Sequence, residues 1–255
     1  MIDIHSHILP GIDDGAKTMD DSIAMAKHAL EQGVTTIIAT PHHMNGKYEN
    51  RKSDILHHVT LLNDTLKSEG IPVKVLPGQE CRIYGDIIED FNKGEILTMN
   101  NGGKYVFIEF SSSHVPAYAE QLLYNIQFEG IVPIIVHPER NQVFLNDPDT
   151  LYEYVNRGAL TQVTAASVVG GFGKKIQKFS HQLIEADLTH FIASDAHNVS
   201  SRGSKMKEAS ELIKKKFGSN VMDMFNANAQ AIVEGTYIET HTPQLIRKKK
   251  FLGLF

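Results

Sequence analysis

Six apolar runs along this chain each end in a side chain of a kind that binds metal ions. MIDIH ends in His5, with His7 just beyond it, TTIIATPH ends in His42, and VKVLPGQE ends in Glu80. YVFIEF carries Glu109, IVPIIVH ends in His137, and THFIASDAH brings Asp195 and His197. In a parallel β/α barrel the loops after the strands build one shared rim, so side chains remote in sequence meet there. The set holds imidazoles and carboxylates with no thiolate, which suits borderline-to-hard divalent ions such as manganese, iron or zinc. Any one of these residues alone reads as an ordinary core histidine or solvated acid. The joint pattern does not, because a carboxylate that follows an apolar strand needs a partner for its charge.

Between the runs lie helical patterns, and the alternation predicts α/β units with a mostly parallel sheet. Thr18 and Asp21 are spaced as a capping box for a helix over Met19–Gln32, with Gly33 as its stop. Ile55, Val59, Leu62 and Leu66 recur at helical spacing over Lys52–Ser68. Further helices are expected at about Pro116–Phe128, Pro148–Arg157, Lys174–Ala186 and Ser204–Phe217. Strands are expected at Thr35–Thr40, Lys74–Gln79, Tyr105–Phe110, Val132–Val136, Leu160–Val163 and His190–Ala193. With the first strand this makes roughly seven βα units, one short of the eight of a complete barrel.

The 255 residues match the roughly 250 of a one-domain barrel, so one domain is expected over 1–255, with a basic tail at about 244–255. No apolar run approaches the roughly 18 residues of a membrane span, and no basic, then apolar, leader opens the chain. The single cysteine, Cys81, excludes an internal disulfide framework and fits a reducing, cytoplasmic compartment. A formal net charge of -5 gives no general attraction to nucleic acid.

His5 and His7 stand two apart on a strand end, so both point to one side; Asp195 and His197 repeat the spacing. One of Asp13 and Asp14 can join them, although Asp-Asp-Gly is also ordinary turn chemistry. With Asp14 the candidate ligands are His5, His7, Asp14, His42, Glu80, Glu109, His137, Asp195 and His197, too many for one ion, which implies roughly two or three. Such a site ionises bound water near neutral pH and clamps the oxygens of a displaced group. Arg140 and Arg202 lie close behind His137 and His197, and guanidinium grips phosphate through paired hydrogen bonds. Metals plus arginines favour a phosphate-bearing substrate. A thiolate phosphatase would need arginine where Ile87 stands, and neither a nucleophile elbow nor a Walker loop is present.

DIHSHILPGIDDGA, followed by TPHH, GQE, IEF, HPER and SDAHN, resembles the PHP (polymerase and histidinol phosphatase) superfamily. More narrowly it resembles the bacterial protein-tyrosine phosphatases encoded with capsule and exopolysaccharide genes. The resemblance runs from Met1 to about Arg202. It implies a distorted, TIM-barrel-like (β/α)7 barrel with a trinuclear site that is usually manganese-dependent. By that likeness His5, His7, Glu80 and Asp195 hold one ion, Glu80, Glu109 and His137 a second, and Asp14, His42 and His197 the third. Arg140 would bind phosphate, with Arg202 as a second. The implied substrate is phosphotyrosine on a bacterial tyrosine kinase that controls polysaccharide assembly, and on that kinase's other targets. The rival readings are a small-molecule phosphomonoesterase of the histidinol-phosphatase type and a non-catalytic PHP binding module.

Overall fold

A computed structural model describes residues 1–238 and 240–246, so most of the basic tail, Arg247–Phe255, lies outside the described residues. The fold is mixed α/β with parallel strands. It opens with β1 (Ile2–Ser6), α1 (Met19–Glu31), β2 (Thr36–Ala39), β3 (His42–His43), α2 (Lys52–Ser68), β4 (Lys74–Pro77) and β5 (Glu80–Arg82). Next come α3 (Ile87–Asn92), β6 (Tyr105–Glu109), α4 (Ala119–Phe128), β7 (Val132–Val136), α5 (Gln142–Asn146) and α6 (Pro148–Asn156). The chain continues with β8 (Leu160–Thr164), α7 (Ala165–Val169), α8 (Lys174–Glu185), β9 (Phe191–Ala193), α9 (Met206–Phe217) and α10 (Ser219–Glu234). No helix among the described residues is long and apolar enough to cross a membrane.

Local signals behave as their chemistry dictates. At the start of α1, Thr18 Oγ1 accepts the Asp21 N–H at 3.2 Å, while Asp21 Oδ2 accepts the Thr18 N–H at 3.0 Å. On α2 the expected stripe Ile55, Val59, Leu62 and Leu66 is the buried face.

Two parallel sheets carry the strands, in the orders β1-β2-β4 and β3-β5-β6-β7-β8-β9. The second and third strand positions are shared between them. β2 breaks at Thr40 and Pro41 before resuming as β3, and β4 breaks at Gly78 and Gln79 before resuming as β5. Gly78 permits this bend, because a Cβ there would lie 2.7 Å from Ile38 Cγ2 and 3.2 Å from the Ala39 carbonyl oxygen. At the far edge the last strand returns to the first: Ser6 bridges Ala196 in parallel, and Asp195 N–H donates to the His5 carbonyl at 2.9 Å.

Alternation along the strands makes two cores. One side chain set, including Ile4, Ile38, Phe107, Ile134, Val136 and Phe191, packs together among the strands. The other set faces the surrounding helices. α10 lies beyond the elements expected from periodicity, although Met222, Phe225, Ala229 and Ile232 recur at helical spacing. Ala229 and Ile232 join the inter-strand core, and Asn228 Nδ2 donates to the His190 carbonyl at 2.9 Å. This helix therefore closes the end of that core opposite the strand C-termini. Ile232→Ala is expected to cost about 2–5 kcal/mol in a denaturant titration, whereas Gln230→Ala, at an exposed position of the same helix, shifts stability by less than about 1 kcal/mol.

Candidate metal centre

The backbone aims the candidate side chains by local departures from regular geometry. Simple alternation on β1 would send Ile4 and His5 to opposite faces. The β1–β2 register slips between Asp3 and Ser6, and Ile4 joins the inter-strand core while the His5 ring lies 5.2 Å from the Phe107 ring of that same core. Glu80 and Arg82 follow the period of two on β5, and Glu109 continues the face of Tyr105 and Phe107 on β6. His137 and Asp195 adopt positive φ, 38° and 51°, which turns each side chain at the point where its strand ends. The His137 turn is pinned: its N–H donates to the Gln162 carbonyl at 2.7 Å. Two residues on, buried Glu139 Oε1 accepts from Thr164 N–H at 2.9 Å and from Ser167 Oγ at 2.6 Å, tying the turn to the start of α7.

All nine candidates come together. Donor atoms of His7, Asp14, His42 and His197 form one group within 4.8 Å of one another; those of His5, His7 and Glu80 form a second, and those of His42, Glu80 and Glu109 a third. Asp195 Oδ1 stands 3.3 Å from His7 Nε2 and 3.5 Å from His5 Nε2, extending the second group. His137 Nε2 lies 2.8 Å from Glu80 Oε1, so here it touches the central carboxylate rather than Glu109. Asp14 Oδ1 is 3.4 Å from both His42 Nε2 and His197 Nε2. Asp13 sits behind the group, its Oδ2 2.7 Å from His7 Nδ1. The two neighbouring aspartates thus do different work, one facing the group and one orienting a histidine.

Back-side contacts of this type recur. Gln162 Oε1 lies 2.9 Å from His5 Nδ1, and the Asp195 carbonyl lies 2.9 Å from His197 Nδ1. Each turns Nε2 toward the centre and fixes which nitrogen is free to coordinate. Sequence reasoning passed over Gln162, a polar residue in a strand that is otherwise apolar. It also passed over Arg82, which lies two positions after Glu80 on the same strand face. Arg82 donates to both oxygens of Glu109, at 2.9 and 3.0 Å. Arg140 Nη1 and Arg202 Nη2 converge on Asp195 Oδ2, at 2.7 and 3.1 Å.

Charge is concentrated, and most of the groups that carry it are buried. Burial opposes ionisation of Glu80, yet His42, His5 and His137 hold its carboxyl well below the usual range. Asp195, equally buried, is held well below by Arg140 and its histidine neighbours. Burial and then Arg140 push His137 down to about 3, and burial and then His7 push His197 down to about 4. These two imidazoles are neutral at pH 7, with lone pairs to give. Burial and the adjacent Glu80 push Glu109 up to about 7, and Asp13 raises His7 well above its ordinary value against the pull of burial. His5 Nε2, His7 Nε2, His42 Nδ1, His197 Nε2 and Glu80 Oε2 are buried without a hydrogen-bond partner. Orphaned polar atoms of this kind are costly, and here they face one another across gaps that divalent cations would fill. The donor set therefore fits divalent metal.

Residues 1–234 match the profile of a family described as capsular polysaccharide synthesis, CpsB/CapC. The chain belongs to this family. It is 47% identical over 255 residues to tyrosine-protein phosphatase YwqE of Bacillus subtilis (strain 168), covering 100% of both chains. It is 33% identical over 239 residues to tyrosine-protein phosphatase CpsB of Streptococcus pneumoniae, covering 91% of this chain and 98% of that one. A crystal structure from the pair YwqE and CpsB, described as unique metal-dependent tyrosine phosphatases, superposes with TM-score 0.95 at 47% identity, over 97% of this chain and 100% of that one.

For this member of the CpsB/CapC family the back-side contacts give a direct expectation. Asp13→Asn removes the anionic partner of His7 and should weaken divalent-metal affinity about 10–100-fold in equilibrium dialysis. Retention of full affinity would mean that Asp13 does not orient His7.

Proposed function

We propose that this chain is a metal-dependent protein-tyrosine phosphatase, with His5, His7, Asp14, His42, Glu80, Glu109, His137, Asp195 and His197 holding two or three divalent ions. The observation that carries the reading is the convergence of these side chains, with their unpartnered atoms, beside two arginines. Similarity to YwqE and CpsB along nearly the whole chain supports phosphotyrosine as substrate. The family description supports a role in capsular polysaccharide synthesis, and the proposed substrate proteins are a bacterial tyrosine kinase of that process and its targets. Manganese is the proposed ion and the cytoplasm the proposed compartment. The two sheets are read as arcs of one distorted (β/α)7 barrel in a single domain, supported by the shared second and third strands and the Ser6–Ala196 bridge.

Bound cations would supply a water ionised near neutral pH and Lewis acidity toward phosphoryl oxygens. The protein's own groups do the rest. Arg140 and Arg202 hold guanidinium groups at the edge of the cluster, where their free N–H donors can take the oxygens of the phosphoryl group and the charge that grows on it. An oxygen from water bonds to phosphorus as the bond to the tyrosine oxygen breaks, giving inorganic phosphate and tyrosine. Phenol ionises near pH 10, so the departing phenolate needs little help from a general acid. No phosphoenzyme is required. Cys81 is unsuited to a nucleophile's role, because burial and the Glu80 charge push its thiol up and its S–H points to Gln79 Oε1 at 3.2 Å.

Chelator treatment is expected to abolish hydrolysis of a phosphotyrosyl peptide, and manganese to restore it, while Cys81→Ser retains activity. Faster turnover of histidinol phosphate than of the peptide would replace this reading with that of a small-molecule phosphatase. Fewer than two ions per chain would favour a binding module. Metal loading also carries a proton signature. Glu109, at about 7, and His7, raised by Asp13, hold protons near neutrality that a cation must displace. Affinity should therefore fall as pH drops below about 7. Calorimetry of manganese binding at pH 7 in buffers of different ionisation enthalpy should show net proton release; no release would contradict the ligand roles of these two residues.

A further inference from the structure

Beside the cluster lies a cavity of about 220 Å³ whose lining includes Glu109, His137 and Arg140 together with Phe110 and Phe144. We propose that this cavity is an aryl subsite, which receives the tyrosine ring while the phosphoryl group lies on the cluster. The inference rests on the phosphatase reading above and names how that site would select its substrate.

The size is right for a ring, since a cavity of roughly 150 Å³ lined by apolar side chains accommodates benzene. Its lining combines the two chemistries an aryl phosphate requires, charged groups and aromatic ones. Phe110 and Phe144 pack edge to face, 5.5 Å between centroids at 75°, and Tyr154 packs on both, so the aromatic part of the lining is rigid. In a phenyl ester the ring is joined to phosphorus through a single oxygen, so it must lie in space that borders the phosphoryl site. This cavity borders it, sharing Glu109, His137 and Arg140 with it.

The aromatic lining is also held in place before any ligand arrives. Asn141 Oδ1 accepts from the N–H groups of Val143 and Phe144, at 2.8 and 3.1 Å, and caps α5. Its Nδ2 donates to the carbonyls of Ser111 and His114, at 2.7 and 3.3 Å, tying down the loop at the mouth. Ser112, also on that loop, lines the opening. A preformed slot loses little ordering entropy on binding, so ring burial goes largely into affinity. Serine and threonine phosphates have no group to occupy it, and their short side chains would bring peptide backbone against the rim.

The test uses the full chain loaded with manganese and two non-hydrolysable probes, phenylphosphonate and methylphosphonate, at a pH where both are dianions. Inhibition of phosphotyrosyl-peptide hydrolysis should be at least about tenfold stronger for the phenyl compound, as burial of a phenyl ring provides. A crystal structure with phenylphosphonate should show the phosphonate against Arg140 and the ring within this cavity, against Phe110 and Phe144. Equal inhibition by the two probes, or a phosphonate on the cluster with its ring turned to solvent, overturns the subsite and leaves the phosphatase reading standing. Failure of both phosphonates to reach the cluster overturns the subsite and the phosphatase reading together.

Discussion

The architecture depends on a carboxylate that cannot stand alone. Glu80 is fully buried, and four imidazoles, those of His5, His7, His42 and His137, come within 3.6 Å of it. A charge taken out of water is tolerated only where opposite charge or coordination compensates for it. Asp195 and Glu109 add further buried carboxylates nearby, each clamped by arginine. This concentration of donors around one point makes sense as a cradle for cations, and the unpartnered atoms facing inward are the donors such cations would take.

Producing that cradle requires the fold to depart from regularity at its strand ends. Strand periodicity delivers Glu109 to the interior without special measures. His5, His42, Glu80, His137 and Asp195 need a register slip in β1, breaks before β3 and β5, or a left-handed residue at the end of a strand. These departures carry local strain, and the surroundings hold them: Glu139 anchors the His137 turn, and Gly78 allows close approach at one of the breaks. A second layer of contacts, from Asp13, Gln162 and the Asp195 carbonyl, then orients His7, His5 and His197. Orientation in the centre is thus built on the backbone as well as on the ligands.

A centre of this kind supplies charge and an ionised water but little shape. Discrimination among phosphate esters must come from what lies around it. Here the same β6 that ends in Glu109 continues into Phe110, and the same turn that places His137 leads through Arg140 to Asn141 and Phe144. Glu109 and Phe110 line one cavity although they are adjacent on the chain, because the regular strand ends at Glu109.

Much was legible in the sequence, for a physical reason. Apolar runs ending in His, Glu or Asp announced both the α/β class and the side chains that meet, because chemistry needs those residue types and strands need that patterning. The capping box of α1 and the stripe of α2 are local, and local rules found them. What sequence could not reach are facts of three dimensions. Asp13 and Asp14 are neighbours of one chemical type, and only the fold turns one toward His42 and His197 and the other behind His7. Gln162 meets His5 across 157 positions and Arg82 meets Glu109 across 27, pairings that no local pattern encodes. The sequence by itself determined which chemical groups were available and in which apolar runs the strands would lie. The tertiary structure decided which atoms face one another, since that depends on bends, register and packing summed over the whole chain.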